Sequence, residues 1–262
     1  MTTTDVLPPA EALLTKFLRD TRTVFLRELM PTLRQPSGLI YTMGQPLLFL
    51  VLFGSMLAGD NGGGSPWQWF VPGILIMMCL SGPMMAGYSL LTELLSGSFE
   101  RMLVSPLSRT AMLVGRTLKE FLVLLAQAAL IIAVAVPLGF ELRPLGVLAG
   151  LALLMVFGAG LVALSYVLAI ASRPSGELFY GVTQMVMFPV LLLSGVLLPV
   201  SSGPDWLRVV AGLNPVSYLV DAERALFAGG FAEPAVLHGA LTAVAVGAIG
   251  LLLGTRAMRR GV

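Results

Sequence analysis

Residues 146–171 read GVLAGLALLMVFGAGLVALSYVLAIA, twenty-six positions without a charged side chain. A hydrocarbon core ~30 Å thick takes about 20 apolar residues of helix to cross, and this stretch exceeds that. It shows none of the apolar–polar alternation of a transmembrane barrel strand. The element is therefore a helix, which satisfies its own backbone groups in lipid. Its glycines permit neighbouring helices to approach closely. The whole chain conforms: of 262 residues, 56% are hydrophobic and 11% charged, where a soluble domain carries roughly 25% charge.

Similar apolar runs place six spans at about 38–58, 68–91, 119–139, 146–171, 178–199 and 236–255. The expected fold class is an all-α integral membrane protein with six transmembrane helices. The domain organisation follows: a cytoplasmic N-terminal arm over 1–36, then one six-span transmembrane domain over 37–262. Lys and Arg near the span ends set the orientation, because they are retained in the cytoplasm. Lys16, Arg19, Arg22, Arg27, Arg34, Arg101, Arg109, Arg116, Lys119, Arg173, Arg256, Arg259 and Arg260 fall on one side. Arg143, Arg208 and Arg224 fall on the other. Thirteen against three places both termini in the cytoplasm.

The arm is amphipathic. Leu13, Leu14, Phe17, Leu18, Val24, Phe25 and Leu29 share one helical face; Lys16, Arg19, Asp20, Arg22, Arg27 and Glu28 share the other. Such a helix lies along the inner leaflet, or packs on its own protein. The segment 200–235 is long and apolar, with Pro204-Asp205 and Asn214-Pro215 as helix starts and Gly229-Gly230 as a stop. It forms either a re-entrant pair dipping into the outer half of the bilayer or a pair lying on its surface.

Several function classes are excluded or disfavoured. Neither Lys16 nor Lys119 follows a glycine, so no phosphate loop is present. His238 is the single histidine and no G-x-S-x-G occurs, which removes H-E-x-x-H zinc chemistry and a serine nucleophile elbow. The lone Cys79 forms no intramolecular disulfide. Glu93, Glu120 and Glu177 lie at cytoplasmic span ends, which disfavours ion-coupled transport, since that mechanism keeps ionisable groups mid-membrane. A membrane path without an internal energy source implies a separate source on the cytoplasmic side.

The segment SGSFERMLVSPLSR (96–109) is suited to meet it. Ser98 can cap a short helix and Glu100 can complement its positive end. Phe99, Met102 and Leu103 then make a small apolar face flanked by Glu100 and Arg101, a docking knob for a partner protein or a helix resting on headgroups. Ser105-Pro106 ends it, and Ser108 caps the next helix.

The arm, the six spans, GSFERMLVSPLSRTAMLVGR (97–116), FPVLLLSGVLLPV (188–200) and PDWLRVVAGLNPVSYLVDAERALFAGG (204–230) together resemble the membrane subunit of an ABC type-2 transporter, of the kind that includes the daunorubicin-resistance permeases. The resemblance implies a coupling helix at about 97–104, with Gly97, Ser98, Phe99, Glu100, Arg101, Met102 and Leu103 contacting a nucleotide-binding ATPase subunit. ATP and magnesium would be held by that partner, and this chain itself would bind no cofactor and be no enzyme. It further implies a second membrane subunit, a copy or a paralogue, re-entrant outer helices at about 203–230, and efflux across a bacterial plasma membrane. No nucleic-acid or metal site is expected.

Substrate-path candidates are Gln45, Met77, Met84, Tyr88, Tyr180, Gln184 and Met187. Methionine and aromatic surfaces repack around bulky apolar guests, though such residues also serve as helix–helix core. A lipophilic drug, antibiotic, lipid or glycoconjugate would suit them. The alternatives are a non-transporting membrane scaffold or sensor, and an ion-coupled secondary carrier.

Overall fold

The computed structural model describes residues 10–34, 36–57, 65–98, 108–173, 175–197 and 203–260, all helices and connections with no strand among them. Among the described residues nine α-helices are delimited, in order: α1 (Ala10–Arg34), α2 (Pro36–Leu57), α3 (Pro66–Leu95), α4 (Arg109–Ala135), α5 (Pro144–Ala171), α6 (Glu177–Leu193), α7 (Asp205–Gly212), α8 (Pro215–Phe227) and α9 (Pro234–Arg260). A 3-10 turn, Val136–Leu138, extends α4.

Among the described residues four helices are long and apolar enough to cross a bilayer: α3, α4 with its 3-10 extension, α5, and α9 over Pro234–Ala257. Two apolar helices are shorter, Ile40–Ser55 within α2 and Glu177–Leu193. The expected fifth span therefore ends early. Ser194 turns its hydroxyl back onto the Leu191 carbonyl, and Gly195 takes φ +75°, a left-handed conformation suited to glycine. Seventeen residues of helix reach about 26 Å.

The core helix is α3. Every residue from Phe70 to Leu80 is buried, because α2, α4, α5 and α8 surround it. Pro72 and Pro83 lie inside it. Close approach elsewhere depends on glycine. A Cβ at Gly160 of α5 would overlap Val246 and Gly247 of α9, and one at Gly250 would overlap Gly160 in return. These two helices interlock backbone to backbone, as small residues allow where lipid offers no hydrophobic driving force between helices.

At one end of the bundle α1 lies on the start of α4. Gly115 faces the Thr21 carbonyl and Val24, with no room for a side chain. The packed face of the arm centres on Asp20, Thr21 and Val24, all buried. Asp20, assigned above to the polar face, is thus an internal contact, while Leu14 and Leu18 remain exposed. At the other end α8 packs between the starts of α3, α5 and α9, and α7 exposes Trp206 and Val209, with Leu213 exposed at its C-cap. The expected starts of this pair are observed: Asn214 Oδ1 accepts from Val216 N at 3.0 Å, while α7 begins at Asp205 with Pro204 as its cap, one residue later than placed from sequence. Gly229, at φ +82°, ends α8 as its sequence indicates.

Candidate functional site

Two features of the bundle bear on function. The first is where α3 ends and α4 begins, the two strands of chain that flank the 99–107 stretch. Gly97 takes φ +68° and breaks α3. Ser98 donates its hydroxyl back to the Glu93 carbonyl at 3.2 Å, which ties it to the end of α3. Phe99, Glu100, Arg101, Met102 and Leu103 lie outside the described residues. Ser108 caps α4 as expected, accepting from Ala111 N at 3.1 Å.

Both flanks are tied to the arm. Ser108 N donates to Asp20 Oδ2 at 3.2 Å. Arg116, 3% exposed, pairs with Glu93 of α3 and, at 3.3 Å, with Glu28 of α1. Arg27 Nη2 approaches Glu93 Oε1 at 3.8 Å. The Arg116 guanidinium also sits 5.9 Å from the Tyr166 ring of α5. A buried guanidinium is stable only with compensating charge, so Arg116 holds α1, α3 and α4 in one arrangement.

The second feature is a cavity of about 700 Å³ walled by α2, α3, α4, α5 and α6, with the end of α1 at its edge. Its size is that of a ligand pocket. Four of the seven residues proposed from sequence line it: Gln45, Met77, Gln184 and Met187. Met84, Tyr88 and Tyr180 are not among the lining residues. They form an adjoining patch, in which Thr183 Oγ1 contacts Met84 Sδ at 3.7 Å and the Tyr88 and Tyr180 rings meet edge to face at 5.9 Å.

The cavity holds polar groups that sequence reasoning did not assign to it. Lys119 Nζ binds Glu120 Oε1 at 2.7 Å, and both line the cavity. Gln127 Nε2 donates to Thr42 Oγ1 at 3.3 Å, linking α4 to α2. The available signal was Gln127, a polar residue inside an apolar run seven positions after Glu120, hence on the same helical face. Among the described residues no group of three His, Cys, Asp or Glu side chains could hold a metal ion.

The far end is locked by hydrogen bonds to the carbonyls that the end of α6 leaves open. Asn214 Nδ2 donates to the Val190 carbonyl at 2.7 Å and Ser217 Oγ to that of Leu193 at 3.2 Å. Arg224 Nη2 donates to Gly195 O at 2.9 Å, and its guanidinium lies 3.3 Å from the Trp69 ring centroid. Burial lowers the Arg224 pKa to about 10, partly offset by the nearby Asp221 carboxylate.

Residues 19–228 match the family model of the ABC-2 type transporter. The chain belongs to the ABC-2 type transporter family. A daunorubicin resistance ABC transporter permease protein of Streptomyces coeruleorubidus is 28% identical over 217 residues, 80% of this chain and 75% of its own length. A protein of Cyanophora paradoxa named as a transport permease is 29% identical over 201 residues, 74% of this chain and 69% of its own. A multidrug ABC transporter permease of Escherichia coli K12 is 27% identical over 164 residues, 62% of this chain and 44% of its own. These relatives are named as transport permeases rather than enzymes, and this ABC-2 family member is a multi-pass membrane protein.

Proposed function

We propose that this chain is the membrane subunit of an ATP-driven exporter, working beside a separate ATPase subunit that holds ATP and magnesium. The observation that carries the reading is the Arg116 cluster. It joins both flanks of the 99–107 stretch to the arm, so a push on that stretch moves α1, α3 and α4 together. In this reading Phe99, Met102 and Leu103 dock in the ATPase, Glu100 and Arg101 set their register, and both termini are cytoplasmic. The shorter α2 and α6 complete six spans. The arm rests on the inner leaflet through Leu14 and Leu18, and α7 with α8 forms the re-entrant outer pair in a bacterial plasma membrane.

The cavity opens between α2 and α6, whose outward faces carry Tyr41, 83% exposed, and Met185, 81% exposed. A second membrane subunit set against these faces would close the path. The apolar walls with scattered glutamines suit an amphipathic, largely lipophilic cargo, consistent with the drug-resistance names of relatives.

The test is co-expression of the chain with the Walker-type ATPase encoded beside its gene. ATP turnover by the purified complex should respond to daunorubicin, and inside-out vesicles should accumulate it only with ATP. The double variant F99A/E100A should insert normally yet lose both responses. Unchanged turnover and transport in that variant, or accumulation driven by a proton gradient without ATP, would refute the reading.

A further inference from the structure

The sequence places Glu223 among charged neighbours, in the run Asp221-Ala222-Glu223-Arg224 at the middle of α8. The structure separates them. Asp221 is exposed, and Arg224 reaches across to Trp69 and the Gly195 carbonyl. Glu223 points the other way, toward α5, and is 0% exposed. Neither carboxylate oxygen has a hydrogen-bond partner among the described residues. A Cβ at Gly150 would overlap the carboxyl group and the Phe227 ring, and one at Gly146 would overlap the Leu226 carbonyl. α5 therefore presents a glycine-floored socket into which this part of α8 fits.

An ionised carboxylate in such a socket is very costly without a counter-charge. The elements packed on α8 offer none. α5 contains no titratable residue between Arg143 and Tyr166. α3 contributes the Cys79 thiol, and α6 has only Tyr180 between Glu177 and its end. His238 of α9 lies against Tyr218, at 6.3 Å between rings. Asp205 and Arg208 of α7 pair with each other. Burial alone accordingly pushes the Glu223 carboxyl up to about 8.

We propose that Glu223 is a proton-binding site that latches α8 into its socket on α5 and releases it on ionisation. The latch has leverage because α8 also carries Ser217 and Arg224, and its cap Asn214, which together bind the carbonyls at the end of α6. On the other side of the socket, Cys79 lines the cavity, so freeing α8 loosens two of the cavity's walls, α3 and α6. The sign follows from linkage. The seated acid keeps its proton up to about pH 8, whereas a carboxyl exposed to water loses it near pH ~4.3. Between these values the seated state binds one more proton than the released state, so the released fraction rises about tenfold per pH unit and levels off above the upper value. The device operates whether or not the chain exports anything.

The test uses the full chain purified in lipid nanodiscs, without ATPase or cargo. Infrared spectroscopy should show a protonated-carboxyl band that titrates near pH ~8 and vanishes in Glu223→Gln. Hydrogen exchange over 215–227, corrected for intrinsic pH dependence, should rise about tenfold per unit up to that point in the wild type and stay flat in Glu223→Gln. Glu223→Met, apolar and of similar length, is the second variant should the first not fold, and its exchange should be flat as well. A carboxyl band identical in wild type and variant, or equal pH profiles in all three proteins, would overturn the proposal.

Discussion

Arg116 shows how one side chain can join three helices. Its carboxylate partners come from α1 and α3, while its own helix begins at Arg109, fourteen residues after Leu95 ends α3. Replacing it with alanine leaves Glu28 without its ion-pair partner and Glu93 with only the more distant Arg27, at 3.8 Å, in a half-buried site. We expect Arg116→Ala to cost about 3 kcal/mol, the lower end for breaking a buried pair because both carboxylates keep some access to water. Thermal unfolding in detergent would measure it. Arg116→Lys should recover only part of that, since an ammonium lacks the planar fork that reaches two carboxylates together. Ser108→Ala should cost about 1 kcal/mol through loss of the N-cap, read by the same melt.

At the scale of elements, the contrast between α5 and α6 is instructive. α5 and α9 meet through Gly160, Gly247 and Gly250 with backbones in contact. Gly160→Val should force them apart and destabilise by at least about 2 kcal/mol, as overpacking of a tight interface does; a melt unchanged from wild type would show that the seam tolerates separation. α6 has one buried residue, Phe179, and leaves Met185, Val186 and Phe188 exposed. Its position is set at its end, by Asn214, Ser217 and Arg224. Asn214→Ala removes both the cap of α8 and the bond to Val190, and hydrogen exchange at the end of α6 should rise with that at the start of α8.

For the whole molecule, α2 and α6 both line the cavity and both carry large exposed side chains there, Tyr41 and Phe188. Placing charge there, as Tyr41→Arg with Phe188→Arg, should lower the particle mass by one membrane subunit while leaving the chain folded, because neither side chain contributes to the core. Light scattering on the purified protein decides this. A mass unchanged from wild type would refute the proposed second subunit on this face. Lining the cavity with Gln184→Leu should weaken the response of ATP turnover to cargo without affecting assembly, since Gln184 is exposed and holds no neighbour.

Composition and periodicity alone determined that this chain is an apolar helical membrane protein. Run length and charge are properties of single segments, and the bilayer imposes them locally. The caps at Ser108 and Asn214 and the stop at Gly229 were legible for the same reason, since a cap is an affair of three or four neighbours. So were four of the residues that line the cavity: Gln45, Met77, Gln184 and Met187 stood out as polar or soft residues in apolar runs. The tertiary structure decided what depends on residues distant in sequence. It placed Asp20 inside, ended α6 at Leu193 where α8 could take its free carbonyls, and brought Lys119 and Glu120 into the cavity. Most of all, it separated Glu223 from its charged neighbours. In sequence it is one acid in a charged run; only the turn of α8 against the glycines of α5 removes it from water, and no local pattern records that.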